Sequence, residues 1–235
     1  MFFHGKPPVE HIADTQEEAN LTKDPLTSIA PKISDLFLPV DAVDWFKKRH
    51  RSLFLLGEGN FDFARSLVTL GIAARIASEK SAVPGFVGET KIFPVDATRL
   101  HCSNDVFIAA FGGPDVDTFH WNFPFTGEEE HDESNESLIL GTFHSLLEVF
   151  RKLVQRRQLQ KLSISFTLQG DQFSRWKVLR SAMRTCWRLA AWGAFDFDEF
   201  PGYSPRRADG HMFPTSSIRF YEFRLQLDQL RPILS

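Results

Sequence analysis

Gly57 and Gly59 lie in the stretch LFLLGEGNFDFARSL, where an apolar run gives way to a helical pattern. Two glycines at such a turn let the backbone approach a ligand closely. The helix that follows would point its first N–H groups toward a carboxylate or phosphate. Glu58 between them repels phosphate, so the turn suits the positively charged end of a ligand. The third Gly of a dinucleotide fingerprint and the Lys-Ser/Thr of a P-loop are both missing. The second candidate is NFPFTGEEEHDESNES, residues 122–137, where the stiff turn Asn122, Phe123, Pro124, Phe125 precedes six acidic side chains and no basic one. It reads either as the lip of an active site or as a strand exit with Phe123 and Phe125 in the core.

A third set is cationic. Lys177, Arg180, Arg184 and Arg188 recur at i, i+3, i+7 and i+11 in QFSRWKVLRSAMRTCWRLAA, opposite Leu179, Met183 and Cys186. Like charges at this spacing repel by a few tenths of a kcal/mol, so the stripe is costly unless an anion covers it. RNA phosphate is one such anion, and pairing with nearby acids is the plain alternative. Arg206 and Arg207 add charge in the 15-residue loop PGYSPRRADGHMFPT, where Tyr203 could stack on a base. Long loops within compact domains tend to be functional.

The elements that must position these residues can be read in order. DAVDWFKKRH predicts a short helix capped by Asp41, RSLFLLG a buried strand, and FDFARSLVTLG a helix with Phe61, Ala64, Leu67 and Val68 on one face, closed by Gly71. IAARIA and KIFPVD read as strands, SNDVFIAAFGG as a helix, and VDTFHWNFP as a strand entering the aromatic turn. SNESLILGTFHSLLEVFRKLVQRRQ is a long helix with Leu140, Phe143, Leu147, Phe150 and Val154 on one face. Acids precede its positive end, and Arg151, Lys152, Arg156 and Arg157 fall near its negative end. KLSISFTLQ alternates as a strand, QFSRWKVLRSAMRTCWRLAA is a strong amphipathic helix, and WGAFDFDEF with SSIRFYEFRLQL forms a closing antiparallel pair. Strands alternating with helices and ending in a strand pair indicate a doubly wound sheet.

The totals agree with this. The chain has 235 residues, enough for one large α/β domain with an extension, and its 24 Phe against two Tyr imply a core packed mainly with Phe. Residues 1–40 carry five prolines and little apolar periodicity, so they read as an extended N-terminal arm, with residues 41–235 as the folded domain. Two cysteines, Cys102 and Cys186, imply no disulfide framework and no zinc site. No apolar run is long enough to span a membrane. The net charge of −3 conceals an asymmetry: residues 151–235 hold 15 Lys and Arg against 7 Asp and Glu, leaving 12 against 23 in the first 150. A basic half favours a polyanionic partner.

LLGEGNFDF, PVDATRL, VDTFHWNFPFTG, FTLQGDQFSRW and YSPRRADG, in this order and spacing, resemble the Rossmann-like domain of the ribosomal RNA uridine-N3 methyltransferases. The resemblance covers residues 50–225. It implies a class I methyltransferase fold, an α/β sheet of about seven mostly parallel strands with helices on both faces and an antiparallel C-terminal pair. It implies S-adenosylmethionine (SAM) as cofactor, with Gly57, Glu58, Gly59 and Asn60 at its methionine end and Asp96 with Ala97 beside its adenine; for Asp96 a helix cap is the alternative. Asn122, Phe123 and Pro124 would form the catalytic corner, similar to the Asn-Pro-Pro-aromatic turn of base-methylating enzymes. Ribosomal RNA is the implied partner, bound through Lys177, Arg180, Arg184, Arg188, Tyr203, Arg206 and Arg207, with ribosomal proteins reached through the arm. No single residue stands out as the general base; Asp171 and Asp209 sit in suitable loops.

Three departures bear on activity. The acid that would bind the ribose hydroxyls aligns with Ala77, with Glu79 as the nearest substitute; the segment 78–90 is short for the family; and Phe125 replaces the usual His. Losing a charged acceptor for two hydroxyls weakens binding by roughly 1.5–3 kcal/mol. A catalytically silent relative serving as a structural or assembly subunit of a ribosome therefore stands beside the enzyme. The expected compartment is intracellular, either nucleolar or nuclear, or mitochondrial.

Overall fold

The computed structural model describes residues 39–50, 52–57, 61–74, 76–78, 91–92, 95–102, 116–126, 132–155, 161–205 and 217–226. Most of the predicted arm, the helix read at SNDVFIAAFGG, Glu58, Gly59, Asn60, Glu79, Arg206, Arg207 and Asp209 lie outside them. Seven strands form one sheet in the order β3-β2-β1-β4-β5-β7-β6. They are β1 (Leu53–Leu56), β2 (Ile76–Ser78), β3 (Lys91–Ile92), β4 (Thr118–Asn122), β5 (Ser163–Gln169), β6 (Trp187–Ala194) and β7 (Ile218–Leu225). The first five are parallel to one another, and β7 enters antiparallel between β5 and β6. This is the expected class I methyltransferase arrangement. The carboxyl ends of β1, β3 and β4 share one edge.

The helices are α1 (Ala42–Lys47), α2 (Asp62–Thr69), α3 (Asp132–Gln155), α4 (Gln172–Arg175) and α5 (Val178–Arg184). Asp41 caps α1 as expected, its carboxylate accepting from the Asp44 N–H at 2.7 Å. Gly71, at φ +74°, closes the chain after α2 while Ile72 N–H returns to the Leu67 carbonyl. Phe61, Ala64 and Leu67 are buried as expected, joined by Phe63, whereas Val68 is 57% exposed. Phe61 lies outside the helix in a left-handed conformation and packs into the core from there.

The single long helix expected over residues 172–191 is broken into three pieces. Lys177 adopts φ +45° between α4 and α5, and Thr185 returns its hydroxyl to the Ser181 and Ala182 carbonyls, ending α5. Left-handed Cys186 then starts β6, whose Trp187 packs on Phe143 and donates its indole N–H to the Phe143 carbonyl. Packing of an aromatic anchor has overridden a helical spacing. Met183, expected on the buried side, is 63% exposed.

The sheet buries both faces. One face carries Phe54, Phe119, Ile164, Phe166 and Phe223 against Phe143, Leu147 and Phe150 of α3. The other carries Leu53, Leu55 and Phe220 against Trp45 and Phe46 of α1 and Phe63 of α2. On this second face the middle strands also bring in polar side chains. Thr118, His120 and Asn122 of β4 stand beside Ser163, Ser165 and Thr167 of β5, all buried. Next to them Glu222 of β7 is 1% exposed. Its carboxylate accepts from Trp45 Nε1 at 2.9 Å, Arg49 Nη2 at 2.7 Å and Arg224 Nε at 2.9 Å. Arg49 also lies over the Trp45 ring, 3.7 Å from its centre. At the outer edge, Val40 donates its N–H to the Trp192 carbonyl, and its own carbonyl lies where a side chain on Gly193 would stand.

Burial raises the Glu222 pKa, but the Arg224, Arg49 and Trp45 donors together outweigh it and hold the group below 4.5. The folded state then binds fewer protons than the unfolded one as pH falls below 4.5. The contribution is whole above that pH and is lost as pH drops through the folded value. Arg49→Met removes one donor from a buried anion and is expected to cost about 3 kcal/mol, read as a lower urea midpoint at unchanged m-value. The variant should also lose part of the acid limb of the wild-type stability curve.

Candidate functional site

The left-handed backbone at Gly57 (φ +59°) turns the chain at the carboxyl end of β1. A β-carbon there would overlap Nε1 of Trp121, the register partner of Leu56 on β4. The close approach that this glycine permits is thus made by the protein's own half-buried indole. Asp96 follows β3 and commits Oδ1 to the Thr98 N–H at 2.9 Å and the Thr98 hydroxyl at 2.7 Å. It therefore caps the 3-10 segment Ala97–Cys102, as the plain alternative held. Only its second oxygen is left for a ligand. Ala97 is buried beneath it.

Asn122 ends β4 and is 9% exposed. Phe123 follows at φ +49°, a conformation that non-glycine residues adopt at a cost, and its N–H is tied to the Thr167 carbonyl at 2.9 Å. Its ring packs near Phe197 at 6.0 Å, while Phe125 stacks on Trp176 at 6.5 Å. The aromatics of the turn are core-facing, and Pro124 is buried with them. Thr126 is fastened by its N–H and hydroxyl to Asn135 Oδ1, from the first turns of α3. The acids that open α3 reach the other way. Asp132 pairs with Arg175 at 2.6 Å, which lowers its pKa, and Glu136 with Lys177 at 2.7 Å. Asp132 and Glu136 thereby link the opening turns of α3 to the segment that follows β5, in addition to opening the helix.

His120 was not singled out from sequence, yet it occupies the centre of this arrangement. Its ring is fully buried between Phe46 (4.8 Å, edge-on) and Phe63 (5.2 Å). Nδ1 lies 2.8 Å from Ser165 Oγ and Nε2 lies 2.8 Å from Asn122 Oδ1. Burial drives its pKa down from 6.5 to about 3, against a smaller upward pull from Asn122. The strand period places residues 120 and 122 on one face, so TFHWN already contained the pairing; nothing in the sequence marked Ser165 or Thr167 as its neighbours.

The cationic set is only partly assembled. Arg180 and Arg184 are exposed on α5, Lys177 is paired with Glu136, and Arg188 stands on β6 rather than on the helix. The stripe is therefore not continuous, because the helix expected to carry it ends at Arg184. Tyr203 is half-buried, its ring 4.9 Å from Phe63 and 5.7 Å from Phe197. Asp171 pairs loosely with Arg175 at 3.5 Å. Among the described residues no group of three or more His, Cys, Asp or Glu could hold a metal ion, and no helix is long and apolar enough to cross a membrane.

The family model described as rRNA (uridine-N3-)-methyltransferase BTM5-like matches residues 86–207, just over half of the chain. Heavy metal-associated isoprenylated plant protein 41 of Arabidopsis thaliana is 28% identical over 188 residues, covering 71% of this chain and 35% of that protein. The chain thus spans about a third of that curated relative. Among solved structures, a mutant 16S rRNA (adenine(1408)-N(1))-methyltransferase of Catenulisporales acidiphilia with cosubstrate SAM aligns at TM-score 0.41 and 10% identity, over 80% of this chain and 91% of that one. SAM-dependent methyltransferases of Methanosarcina mazei align at TM-score 0.42 and 8% identity, over 80% and 100%.

Two stability measurements test this geometry. Gly57→Ala is expected to cost about 1–3 kcal/mol, from the left-handed backbone and the overlap with Trp121; Trp121→Leu in the same chain should recover only the steric part. For His120, the folded state binds fewer protons than the unfolded one between pH 6.5 and about 3, so its contribution is complete above 6.5 and erodes as pH falls. Chemical denaturation should show His120 adding about 1.4 kcal/mol per pH unit to the loss of stability near pH 5, an increment that His120→Phe removes.

Proposed function

The chain belongs to the rRNA (uridine-N3-)-methyltransferase BTM5-like family, and on that premise we propose that it binds SAM and methylates N3 of a uridine in ribosomal RNA. The observation that carries the reading is convergence. Gly57, Asp96 and Asn122 follow the carboxyl ends of three parallel strands of one sheet, the edge where open α/β sheets collect ligands. The residues fit the cofactor in part. Gly57 would take the methionine end together with Glu58, Gly59 and Asn60, and the free oxygen of Asp96 would accept from the adenine amine. The position of the ribose acid holds Ala77, which supplies no acceptor. When bound, SAM supplies an electrophilic methyl group, so the uridine N3 proton must leave as the new bond forms. The chain's own part is to hold the base in line from the Asn122 corner and to keep water from the buried side of β4.

RNA would approach across Arg180 and Arg184, with Arg188 on the neighbouring strand and Arg206 and Arg207 in the long loop. The site of action would be where that RNA is assembled, nucleolus or mitochondrion, and ribosomal proteins would be met through residues 1–40.

One observation favours a second reading, a silent methyltransferase-fold subunit or assembly factor of a ribosome. Trp121 already uses the space that Gly57 leaves open, and Ala77 at the position aligned with the ribose acid supplies no acceptor. Titration calorimetry separates the two. The enzyme predicts SAM binding with a Kd of roughly micromolar order, abolished in Gly59→Arg and tightened about ten- to a hundredfold in Ala77→Asp. No heat at millimolar SAM for wild type and Ala77→Asp leaves the scaffold. Separately, Arg180→Glu with Arg184→Glu should weaken RNA binding and reduce the log–log salt slope by about two, and an unchanged slope removes α5 from the interface.

A further inference from the structure

The carboxamide of Asn122 is oriented by a chain of two hydrogen bonds. A neutral imidazole has one donor and one acceptor nitrogen. Asn122 Oδ1 can only accept, so His120 Nε2 carries the proton and Nδ1 accepts from the Ser165 hydroxyl, each across 2.8 Å. The other contact of that hydroxyl, to the Phe119 carbonyl, is longer at 3.3 Å. The aromatic walls of Phe46 and Phe63 keep the ring in place. Asn122 is thereby fixed with its oxygen toward the histidine and its Nδ2 amide turned away. That nitrogen is buried and has no hydrogen-bond partner among the described residues. Thr167, its register partner on β5, carries a second buried polar group, a hydroxyl that likewise has no partner among the described residues. Two orphaned polar groups side by side at the carboxyl edge of the sheet bear the full desolvation penalty until something accepts from them.

Resting on the methyltransferase reading above, we infer that Asn122 recognises a carbonyl oxygen of the target base, and that His120, held by Ser165, is the positioning residue that decides which end of the carboxamide faces it. The offered group is an N–H donor. In uracil, N3 is flanked by two carbonyl oxygens, so a donor beside the reacting nitrogen finds an acceptor. On the side that corresponds to uracil O4, adenine N1 and cytosine N3 are flanked by an exocyclic amine, and a donor there meets a donor; the carbonyl that cytosine keeps lies on the opposite side, at C2. Aimed at O4, the arrangement selects uracil over cytosine and adenine by the polarity of one amide, with the Thr167 hydroxyl able to serve the same oxygen.

Two measurements on the full chain decide this. Nitrogen-15 NMR of the imidazoles should show His120 as the Nε2–H tautomer throughout pH 5–8; an Nδ1–H tautomer overturns the inference. Fluorescence anisotropy with single-stranded oligouridine and oligocytidine should show a preference for oligouridine of about tenfold. Asn122→Asp keeps an acceptor toward His120 but replaces the donor with an anion, so the preference should vanish or reverse. His120→Phe frees the carboxamide and should erode the preference, whereas His120→Gln, which can still donate to Oδ1, should retain it. A merely structural histidine would weaken both oligonucleotides alike in both variants, and that outcome, or an unchanged preference in Asn122→Asp, refutes the proposal. Failure of methyl transfer with an intact uracil preference would count against the enzyme reading alone, since tautomer and preference are read without turnover.

Discussion

A carboxylate removed almost entirely from water has to be met by donors, and Glu222 is met from both ends of the described chain. Trp45 and Arg49 come from the N-terminal helix and its exit, Arg224 from the same strand. The strand that bears it, β7, joins the parallel half of the sheet to its edge. Holding that charge therefore fixes where α1 lies on the sheet. α1 in turn supplies Phe46, one wall of the His120 cage. Removing two ions from water is costly, and such a pair adds little net stability against an apolar substitute. What it adds is position: the donors that meet Glu222 tie α1, and with it the Phe46 wall of the His120 ring, to β7.

The second consequence concerns the polar seam across β4 and β5. Parallel central strands usually read as continuous apolar runs because both faces are covered. Here Thr118, His120, Asn122, Ser163, Ser165 and Thr167 occupy one covered face, and every such group needs a partner within the protein. Thr118 meets Ser163 at 3.0 Å and His120 meets Ser165 and Asn122. Satisfaction is good at the amino end of the seam and runs out at the carboxyl end, at Asn122 Nδ2 and Thr167 Oγ1. That gradient points toward the edge where the glycine turn and Asp96 also lie.

Much of the fold was legible because its signals are local. Asp41 caps a helix, Gly71 closes one, and the apolar runs RSLFLLG and VDTFHWN are strands, each dictated by neighbours a few residues away. The failures were long-range. An amphipathic spacing over residues 172–191 suggested one helix, but Trp187 is drawn onto Phe143 of α3, and a strand forms where helical propensity alone would continue. KLSISFTLQ was legible as an alternating strand, but not that its Ser and Thr side chains would be buried beside those of β4. For the site, Gly57 and Asn122 were visible as types. Their partners were not: Trp121 against the glycine, and Ser165 behind the histidine, become neighbours only through strand register.

Gly193 shows how the open margin of this sheet is managed. β6 is the outermost strand, and a bare row of peptide groups there would be a template for pairing with a foreign strand. The Val40 backbone lies against it, and only a residue without a side chain admits it so closely. The segment leading into α1 thus works as a selvedge, and trimming the chain to the start of α1 would trade a finished border for a sticky one.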